Sequence, residues 1–320
     1  MHEHDVTFRS MGSDVRFLIG MPLAAGALAP PDAARAQRAF VEDFAARLSR
    51  FRADSELCAL NGARADVVPV SPLLRVAVRA GLWAAESTGG LVDPTLIPAL
   101  ERGGYRESRE GAIAVPLAEA LRSAPPRRAA QPAPDAAWRS LSVDDARGVV
   151  ERPAGVRFDT GGVGKGLAAD AVAHRLAGHD RFVVDCGGDL VVGGPGAERR
   201  PYEIEVEHPL TGECVHRLPV ASGGVATSGL NVRVWPRPDG SYAHHLIDPS
   251  TGEPAWTGLI AATALAPTAL EAETLSKAAL LGGPAGAREV LAAHGGLMVH
   301  DDGDVELAGP LRTFAMGVAA

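Results

Sequence analysis

Near the start of the chain, polar and apolar residues alternate with a period of two, the pattern of strands that bury one face. Residues 6–10 and 14–19 both show this alternation, and Met11, Gly12 and Ser13 stand between them. A short segment with a glycine between two alternating runs is typical of a turn. The chain is therefore predicted to begin with two strands about a turn.

The spacing of apolar residues then changes to that of amphipathic helices. Within residues 32–50, Phe40, Phe44 and Leu48 fall on one helical face. The run from Pro72 to Ser87 has the same character, begins with a proline and is followed closely by two glycines. Two helices are predicted to follow the opening strands.

Prolines are concentrated near the middle of the chain, over Ala124 to Arg128 and Gln131 to Pro134, without a periodic pattern. Such a segment predicts a loop. The loop is either a linker or an excursion within one domain. Residues 1–320 are accordingly expected to form a single domain, or two lobes joined near 123–137.

The second half of the chain mixes short strand-like runs with a few helical ones. The strands are predicted at 139–143, 148–151, 156–158, 181–186, 189–193, 202–207, 215–220, 258–265, 297–300, 304–307 and 312–316. The helices are predicted at about 164–177, 268–281 and 284–294. Because the strands are joined by short turns with few helices between them, the pattern favours an α+β fold, with mixed or antiparallel sheets and packed helices, over a regular βαβ repeat.

Composition excludes several classes of protein. A hydrophobic fraction of 46% in 320 residues is enough for a sizeable core. The net charge of −8 and the scarcity of aromatic residues, 5%, argue against a nucleic-acid surface. No apolar run reaches the ~18–20 residues that a membrane span needs. The chain is therefore expected not to bind nucleic acid and to have no membrane span.

The N-terminus and the cysteines indicate the compartment. Residues 1–5 have neither the basic nor the apolar region of a signal peptide. The chain has three widely spaced cysteines, Cys58, Cys186 and Cys214. An odd number without a pairing pattern is typical of a protein in a reducing environment. Cys186 follows an apolar run and is expected to be a small core residue rather than a nucleophile. A cytoplasmic location is predicted.

A glycine-rich turn, Gly161 to Gly166, is the feature most suggestive of chemistry. Glycines let backbone N–H groups approach a phosphate, and Lys165 adds a positive charge near Asp159 at the start of a predicted helix. The P-loop pattern fails because Gly166 stands where a hydroxyl is needed, and the dinucleotide pattern fails at Leu167. On this segment alone, a tight strand-to-helix connection and a phosphate site are equally favoured.

Other segments place small, polar or acidic residues between apolar runs. They are Met11 to Ser13, Leu48 to Leu57, Gly89 to Thr95, Asp185 to Leu190, Ala226 to Gly229 and His244 to Gly252. Each alone is ordinary turn chemistry. Taken together in this order and spacing, they resemble the FAD:protein FMN transferases, the ApbE-like flavin transferases. The resemblance runs from Met11 to the helix near residue 280.

The resemblance implies a fold, a reaction and partners. The fold would be α+β and related to the tunnelling fold. The substrate would be FAD, with Mg²⁺ as cofactor. The second partner would be an acceptor flavoprotein whose threonine hydroxyl receives FMN, with release of AMP.

Residue by residue, the resemblance implies a set of FAD contacts. They are Met11, Phe51, Gly90, Leu91, Val92, Asp159, Lys165 and Asp248. Phe51 stands where the family usually has a tyrosine, so the ring face is kept and the hydroxyl is lost. Lys165 is also expected to act in catalysis, as a cation at the pyrophosphate. Because a helix N-terminus disfavours cations, a role linked to a ligand is the better interpretation of this lysine.

A catalytic role is also implied for His245, which belongs to the family's His-x-x-Asp-Pro segment. A histidine could accept the proton of the incoming hydroxyl. Without the resemblance, a satisfied histidine in a strand would be preferred.

The expected metal ligands are the carbonyl of Gly162 and the carboxylate of Glu273. In the family, the late helix opens with Ala-Asp and has a threonine four residues after the aspartate. Here Glu273 replaces the aspartate and Lys277 replaces the threonine. Glutamate can still ligate Mg²⁺, whereas a protonated lysine cannot. An ordinary helix-surface Glu–Lys pair is an equally favoured interpretation.

Two other functions remain open at this stage. The substitutions at Phe51, Glu273 and Lys277 would also fit an FAD-binding protein or FAD pyrophosphatase of the same fold that has lost transfer. A non-catalytic interaction protein that keeps only the fold is the third alternative.

Overall fold

Seventeen strands form within residues 3–109, 111 and 115–311, the part of the chain that this computed structural model describes. They are β1 (His4–Ser10), β2 (Ser13–Ile19), β3 (Val67–Pro69), β4 (Ser142–Asp144), β5 (Val149–Glu151), β6 (Phe182–Cys186), β7 (Asp189–Gly193), β8 (Tyr202–Glu207), β9 (Cys214–Val220), β10 (Gly223–Gly229), β11 (Val234–Pro236), β12 (Tyr242–His244), β13 (Ile247–Asp248), β14 (Glu253–Pro254), β15 (Leu259–Ala266), β16 (Gly296–His300) and β17 (Val305–Ala308). Eight of them form one antiparallel sheet in the order β1-β2-β6-β7-β10-β15-β16-β17.

The same part of the chain forms eight helices. They are α1 (Pro30–Leu48), α2 (Glu56–Gly62), α3 (Pro72–Ser87), α4 (Ile97–Arg102), α5 (Leu117–Arg122), α6 (Gly164–Leu176), α7 (Pro195–Arg199) and α8 (Ala269–Val290). The combination of helices with an antiparallel sheet confirms the α+β prediction. No described helix is long and apolar enough to cross a membrane.

Both faces of the large sheet are covered, and alternation along β6 shows how. Val184 and Cys186 belong to a core cluster with residues of α1, α3 and α6. Val183, which precedes Val184 and faces the other side of the sheet, belongs to a second cluster that includes Leu218 of β9. Cys186 is fully buried, which confirms the prediction of a core residue. Helix α8 packs on β10 and β15 and also against α6.

The opening hairpin and the last helices confirm their predictions. Ser10 pairs with Ser13, and the two residues between them, Met11 and Gly12, have φ of 52° and 68°. Positive φ at both central positions is the requirement of a type I′ hairpin turn. Gly283, with φ of 65°, interrupts α8, as expected from helices predicted at 268–281 and 284–294.

Two predicted strands are wrong in detail. Residues 156–158 do not form a strand, because the side-chain amide of Asn61 satisfies Phe158 in place of a neighbouring strand. Its Nδ2 donates to the Phe158 carbonyl and its Oδ1 accepts from the Phe158 N–H, both at 2.8 Å. Residues 139–143 begin in a short 3-10 helix at Ala137–Ser140, which buries Trp138, and β4 starts only afterwards. The strand predicted at 312–316 lies outside the described residues.

The proline-rich loop is fastened to the body of the protein. Arg128 N–H donates to the carbonyl of Trp256 at 2.9 Å, and Ala130 N–H to that of Leu281 at 2.8 Å. The organisation as a single domain, or as two lobes joined near 123–137, stays a prediction.

Candidate functional site

A cleft of about 740 Å³ opens beside the hairpin turn, the glycine-rich turn and the first half of α8. This size is within the range of small-molecule and cofactor sites. Of the residues that the sequence singled out, those lining the cleft are Met11, Phe51, Leu91, Val92, Asp159, Gly162, Lys165, His245 and Lys277. Segments far apart in sequence therefore meet at one cavity.

The glycine-rich turn is held rigidly. The carbonyl of Thr160 accepts from the N–H groups of Val163 and Gly164, while its hydroxyl donates to the carbonyl of Leu48 at 3.1 Å. The carboxylate of Asp159 accepts from Gly161 N–H at 3.0 Å. These bonds fix the start of α6, and with it Lys165, at the cleft.

Gly166 sets how closely α6 and α8 approach. A Cβ at this position would lie 2.5 Å from the carbonyl oxygen of Ala269, so only glycine fits without movement of the backbone. Asp170, one turn further along α6, accepts from the N–H groups of Ala269 and Leu270 and so caps the start of α8. The close crossing brings the first turn of α6 against the first turns of α8.

Lys165 is paired rather than free. Its ammonium lies 2.5 Å from a carboxylate oxygen of Asp189, a side chain only 2% exposed, and donates to the Gly187 carbonyl at 3.2 Å. Burial opposes the charge, but the carboxylates of Asp189 and Glu273 outweigh it and raise the pKa of Lys165 above its usual value. The lysine is a cation at neutral pH. Asp189 was not predicted as a site residue, although it lies within the segment from Asp185 to Leu190 that the sequence singled out.

Glu273 and Lys277 form a buried pair behind the glycine-rich turn. The Lys277 ammonium donates to Glu273 Oε1 at 2.9 Å, and Gly166 N–H donates to Oε2 at 2.8 Å. The Glu273 side chain is completely buried and Lys277 is 12% exposed. Burial raises the pKa of Glu273, against the opposing influence of Lys277. The surface-pair interpretation of these residues is therefore wrong for Glu273.

His245 lies in the cleft, and its Nδ1 is buried without a hydrogen-bond partner among the described residues. Burial lowers its pKa well below 6.5, and His244, Arg233 and the two site lysines lower it further. The imidazole is therefore neutral at physiological pH, which is the form that can accept a proton.

An aromatic and cationic stack at the cleft was missed by the sequence analysis. The Arg50 guanidinium lies 4.1 Å from the Phe51 ring centroid and 4.5 Å from that of Tyr105. It also pairs with Asp159 at 3.4 Å. Trp235 continues the stack, with 5.4 Å between its centroid and that of Tyr105. A wide planar ligand could extend such a stack.

Arg233 is a further cation that the sequence analysis missed. It lines the cleft, and its guanidinium lies 3.0 Å from the position that a Cβ on Gly12 would take. No carboxylate pairs with it among the residues that the structure describes. Its positive charge adds to that of the two lysines.

Two predicted FAD contacts do not line the cleft. Gly90, with φ of 96°, lies against Pro132 and Trp138. Asp248 accepts from Arg128, from Gln131 N–H and from Ser250, and so ties the proline-rich loop to β13. Its observed contacts are those of a loop anchor, and its role toward FAD stays a prediction.

The residues present do not fit a resident divalent cation well. Such an ion needs several oxygen ligands with free lone pairs directed at one point. Both oxygens of Glu273 already accept hydrogen bonds, and one of them holds an ammonium group. Within residues 3–109, 111 and 115–311, no group of three or more His, Cys, Asp or Glu side chains could hold a metal ion.

The cleft therefore has the features of a site for a large, phosphorylated, planar ligand. These features are a rigid glycine turn, two lysines paired with carboxylates, an arginine without a carboxylate partner in the described part of the chain, and an aromatic stack.

Comparison with known proteins identifies the family. The ApbE family profile matches residues 11–300. The FAD:protein FMN transferase of Klebsiella pneumoniae is 31% identical over 255 residues, covering 78% of this chain and 70% of that protein. That of Treponema pallidum is 32% identical over 244 residues, covering 72% and 66%.

Solved structures agree. The ApbE protein of Thermotoga maritima superposes with a TM-score of 0.79 at 25% identity, covering 98% of this chain and 99% of the other. The apo flavinyl transferase ApbE of Pseudomonas stutzeri gives 0.75 at 25% identity, covering 96% and 94%. The chain belongs to the ApbE family.

Proposed function

We propose that this protein is an FAD:protein FMN transferase, which moves FMN from FAD to a threonine hydroxyl of an acceptor protein. The observation that carries the proposal is the cleft, which is lined by the paired Lys165 ammonium, by the glycine-rich turn and by an aromatic stack. The similar proteins named as FAD:protein FMN transferases support the same reaction.

FAD would bind with its pyrophosphate at the cations and its isoalloxazine ring beside Met11 and Phe51. Met11 is held at the tip of the hairpin in a left-handed conformation, which few non-glycine residues adopt. The rigid turn thus projects an adaptable apolar side chain into the cleft. Phe51 offers a ring face that is partly exposed and backed by Arg50.

The reaction is a substitution at phosphorus. The acceptor's threonine oxygen forms a bond to the phosphorus of the FMN half, and the bond from that phosphorus to the bridging oxygen breaks, so AMP leaves with that oxygen. The neutral His245 would take the proton of the hydroxyl. Lys165 would stabilise the charge that develops on the phosphate oxygens. The chain's main tasks are to align the two groups and neutralise this charge.

Magnesium assistance, with the Gly162 carbonyl and Glu273 as ligands, stays a prediction from the resemblance. The contacts of Glu273 do not favour it, so no step of the reaction described above depends on a metal.

Incubation with FAD and a threonine-containing acceptor protein tests the function. We expect flavinylated acceptor and AMP in equal amounts, and loss of both with His245→Asn. Free FMN with AMP would instead identify an FAD pyrophosphatase. Binding of FAD without AMP would identify a binding protein, and no FAD-induced shift in melting temperature would favour a non-catalytic protein that keeps the fold.

The acceptor is proposed to be a cytoplasmic flavoprotein, as the sequence analysis predicts for the enzyme itself. Fractionation of cells that express the natural gene checks this location. Recovery of the protein outside the inner membrane would contradict it.

A further inference from the structure

We propose that the Lys277 ammonium group is the built-in cation of the pyrophosphate subsite, so that this protein binds FAD and transfers FMN without a divalent metal ion. The inference rests on the proposed function, because it assigns the pyrophosphate of FAD to this part of the cleft.

The first support is the path of the Lys277 side chain. Its Cδ lies 4.0 Å from the position that a Cβ on Gly162 would take, and its Nζ ends 2.9 Å from Glu273 Oε1. The side chain therefore passes Gly162 and ends at Glu273, the two residues expected to ligate the metal. The space in which a metal would meet both groups is next to a positive charge, which repels a second cation.

The second support is the burial of the pair. Arg38 and Glu42 have the same i, i+4 relation on α1, but their side chains are 52% and 49% exposed. Glu273 is fully buried and Lys277 nearly so. Since a buried ion pair often adds little to stability, stabilisation of α8 alone does not account for its placement. Lys277 also lines the cleft, so its charge is available to a ligand.

The third support is the arrangement of charges around the pair. Lys165 with Asp189 and Lys277 with Glu273 form two neighbouring ion pairs, and the two charges balance within each pair. Arg233 adds a positive charge without a carboxylate partner in the described part of the chain. A doubly negative pyrophosphate would therefore meet three cationic groups of the protein, of which the two lysines lie beside their own carboxylates and Arg233 does not. Hydrogen bonds from these groups, together with the net positive charge of Arg233, can take over stabilisation that a metal would otherwise supply.

The test measures FAD affinity by flavin fluorescence, and flavinylation rate, in EDTA and in Mg²⁺. For the unmodified protein we expect both quantities to change by less than about twofold between the two conditions, because a metal that is not bound with FAD has no coupling to it. FAD binding only in Mg²⁺ would overturn the role of Lys277 and leave the transferase function intact. No FAD binding in either condition would overturn both proposals.

Variants separate the ammonium from the rest of the site. Lys277→Thr combined with Glu273→Asp removes the cation and restores the family's pair of oxygen ligands. FAD affinity in EDTA should fall by about tenfold or more and recover in Mg²⁺, and calorimetry should detect Mg²⁺ binding that the unmodified protein lacks. Lys277→Arg keeps a cation and should remain indifferent to EDTA. Unchanged affinity of the double variant in EDTA would contradict the proposal.

Two further variants control for folding. Lys277→Met with Glu273→Gln leaves no unpaired charge in the core, so the fold should persist while affinity for FAD falls in both EDTA and Mg²⁺. Arg217→Met breaks an exposed pair with Glu205, neither of which lines the cleft, and should leave FAD binding unchanged. A double neutral variant that is folded and binds FAD as tightly as the unmodified protein would rule out Lys277 as the pyrophosphate cation.

Discussion

Replacing Lys165 by methionine should damage stability and ligand binding by two separable routes. The substitution keeps the length and apolar stem of the side chain and removes the ammonium. The Asp189 carboxylate, whose side chain is 2% exposed, then keeps its charge but loses the ammonium group that lies 2.5 Å from it. The other site lysine, Lys277, is already bound to Glu273.

The size of the stability loss follows from the burial of the pair. Breaking a buried ion pair by removing one partner costs about 3–5 kcal/mol. Because the Lys165 side chain is 28% exposed, water can partly solvate the remaining carboxylate, and we expect about 2–3 kcal/mol.

A double-mutant cycle with Asp189→Asn separates the two effects. In urea unfolding, Lys165→Met with Asp189→Asn should recover most of the stability, because the amide needs no counter-charge. FAD affinity should stay reduced in both variants by about 10- to 150-fold, corresponding to one lost charged hydrogen bond of about 1.5–3 kcal/mol. Arg38→Met, from an exposed pair, should cost less than about 1 kcal/mol.

Two results would refute this reasoning. If Lys165→Met is as stable as the unmodified protein, the ion pair with Asp189 is not a buried contact in solution. If the double variant binds FAD with unmodified affinity, Lys165 does not contact the ligand and only supports the fold.

Three other predictions concern neighbouring groups. The flavinylation rate should stay flat as pH falls from about 8 to about 6, because the lowered pKa of His245 keeps the imidazole neutral; a rate that halves near pH 6.5 would contradict this. Gly166→Ala should cost about 1–3 kcal/mol in urea unfolding, since its Cβ would meet the Ala269 carbonyl at 2.5 Å, whereas Gly62→Ala, with open space, should not. Burial lowers the pKa of His244 to about 3, so the unfolded chain takes up a proton at this histidine more readily than the folded protein does. The free energy of unfolding should therefore fall as pH drops below ~6.5, by at most about 3 kcal/mol at pH ~4, and His244→Gln should reduce this acid sensitivity.

Local signals predicted the elements whose cause is local. The helix α3 has the predicted bounds because proline starts it and glycines follow it. The break at Gly283 lies where Pro284 cannot continue a helix. The strand β10 was missed because its residues are small and show no alternation. A small residue is required in β10 by a contact with a segment far along the chain. A Cβ on Gly224 would lie 2.3 Å from the carbonyl oxygen of Thr268, at the start of α8.

The site shows the same division between local and distant causes. The glycine turn and Lys165 are visible as a motif, because the residues that make the turn are contiguous. The partner of Lys165 could not be predicted from this motif, because Asp189 lies outside it, at the start of β7. Arg50 and Tyr105 could not be paired from the sequence either, because α3 and two other helices separate them along the chain.

The chemistry at Lys277 depends on helix packing rather than on spacing in the sequence. Glu273 and Lys277 are separated by four residues, as are Arg38 and Glu42, and this spacing alone cannot distinguish a buried pair from an exposed one. Gly166 makes the difference, because the absence of its side chain lets α6 cover the first turns of α8 and its N–H binds the free oxygen of Glu273. A larger residue there would separate the helices, admit water to Glu273 and weaken the hold on Lys277. The cation that we assign to the pyrophosphate subsite is thus positioned by a glycine on another helix.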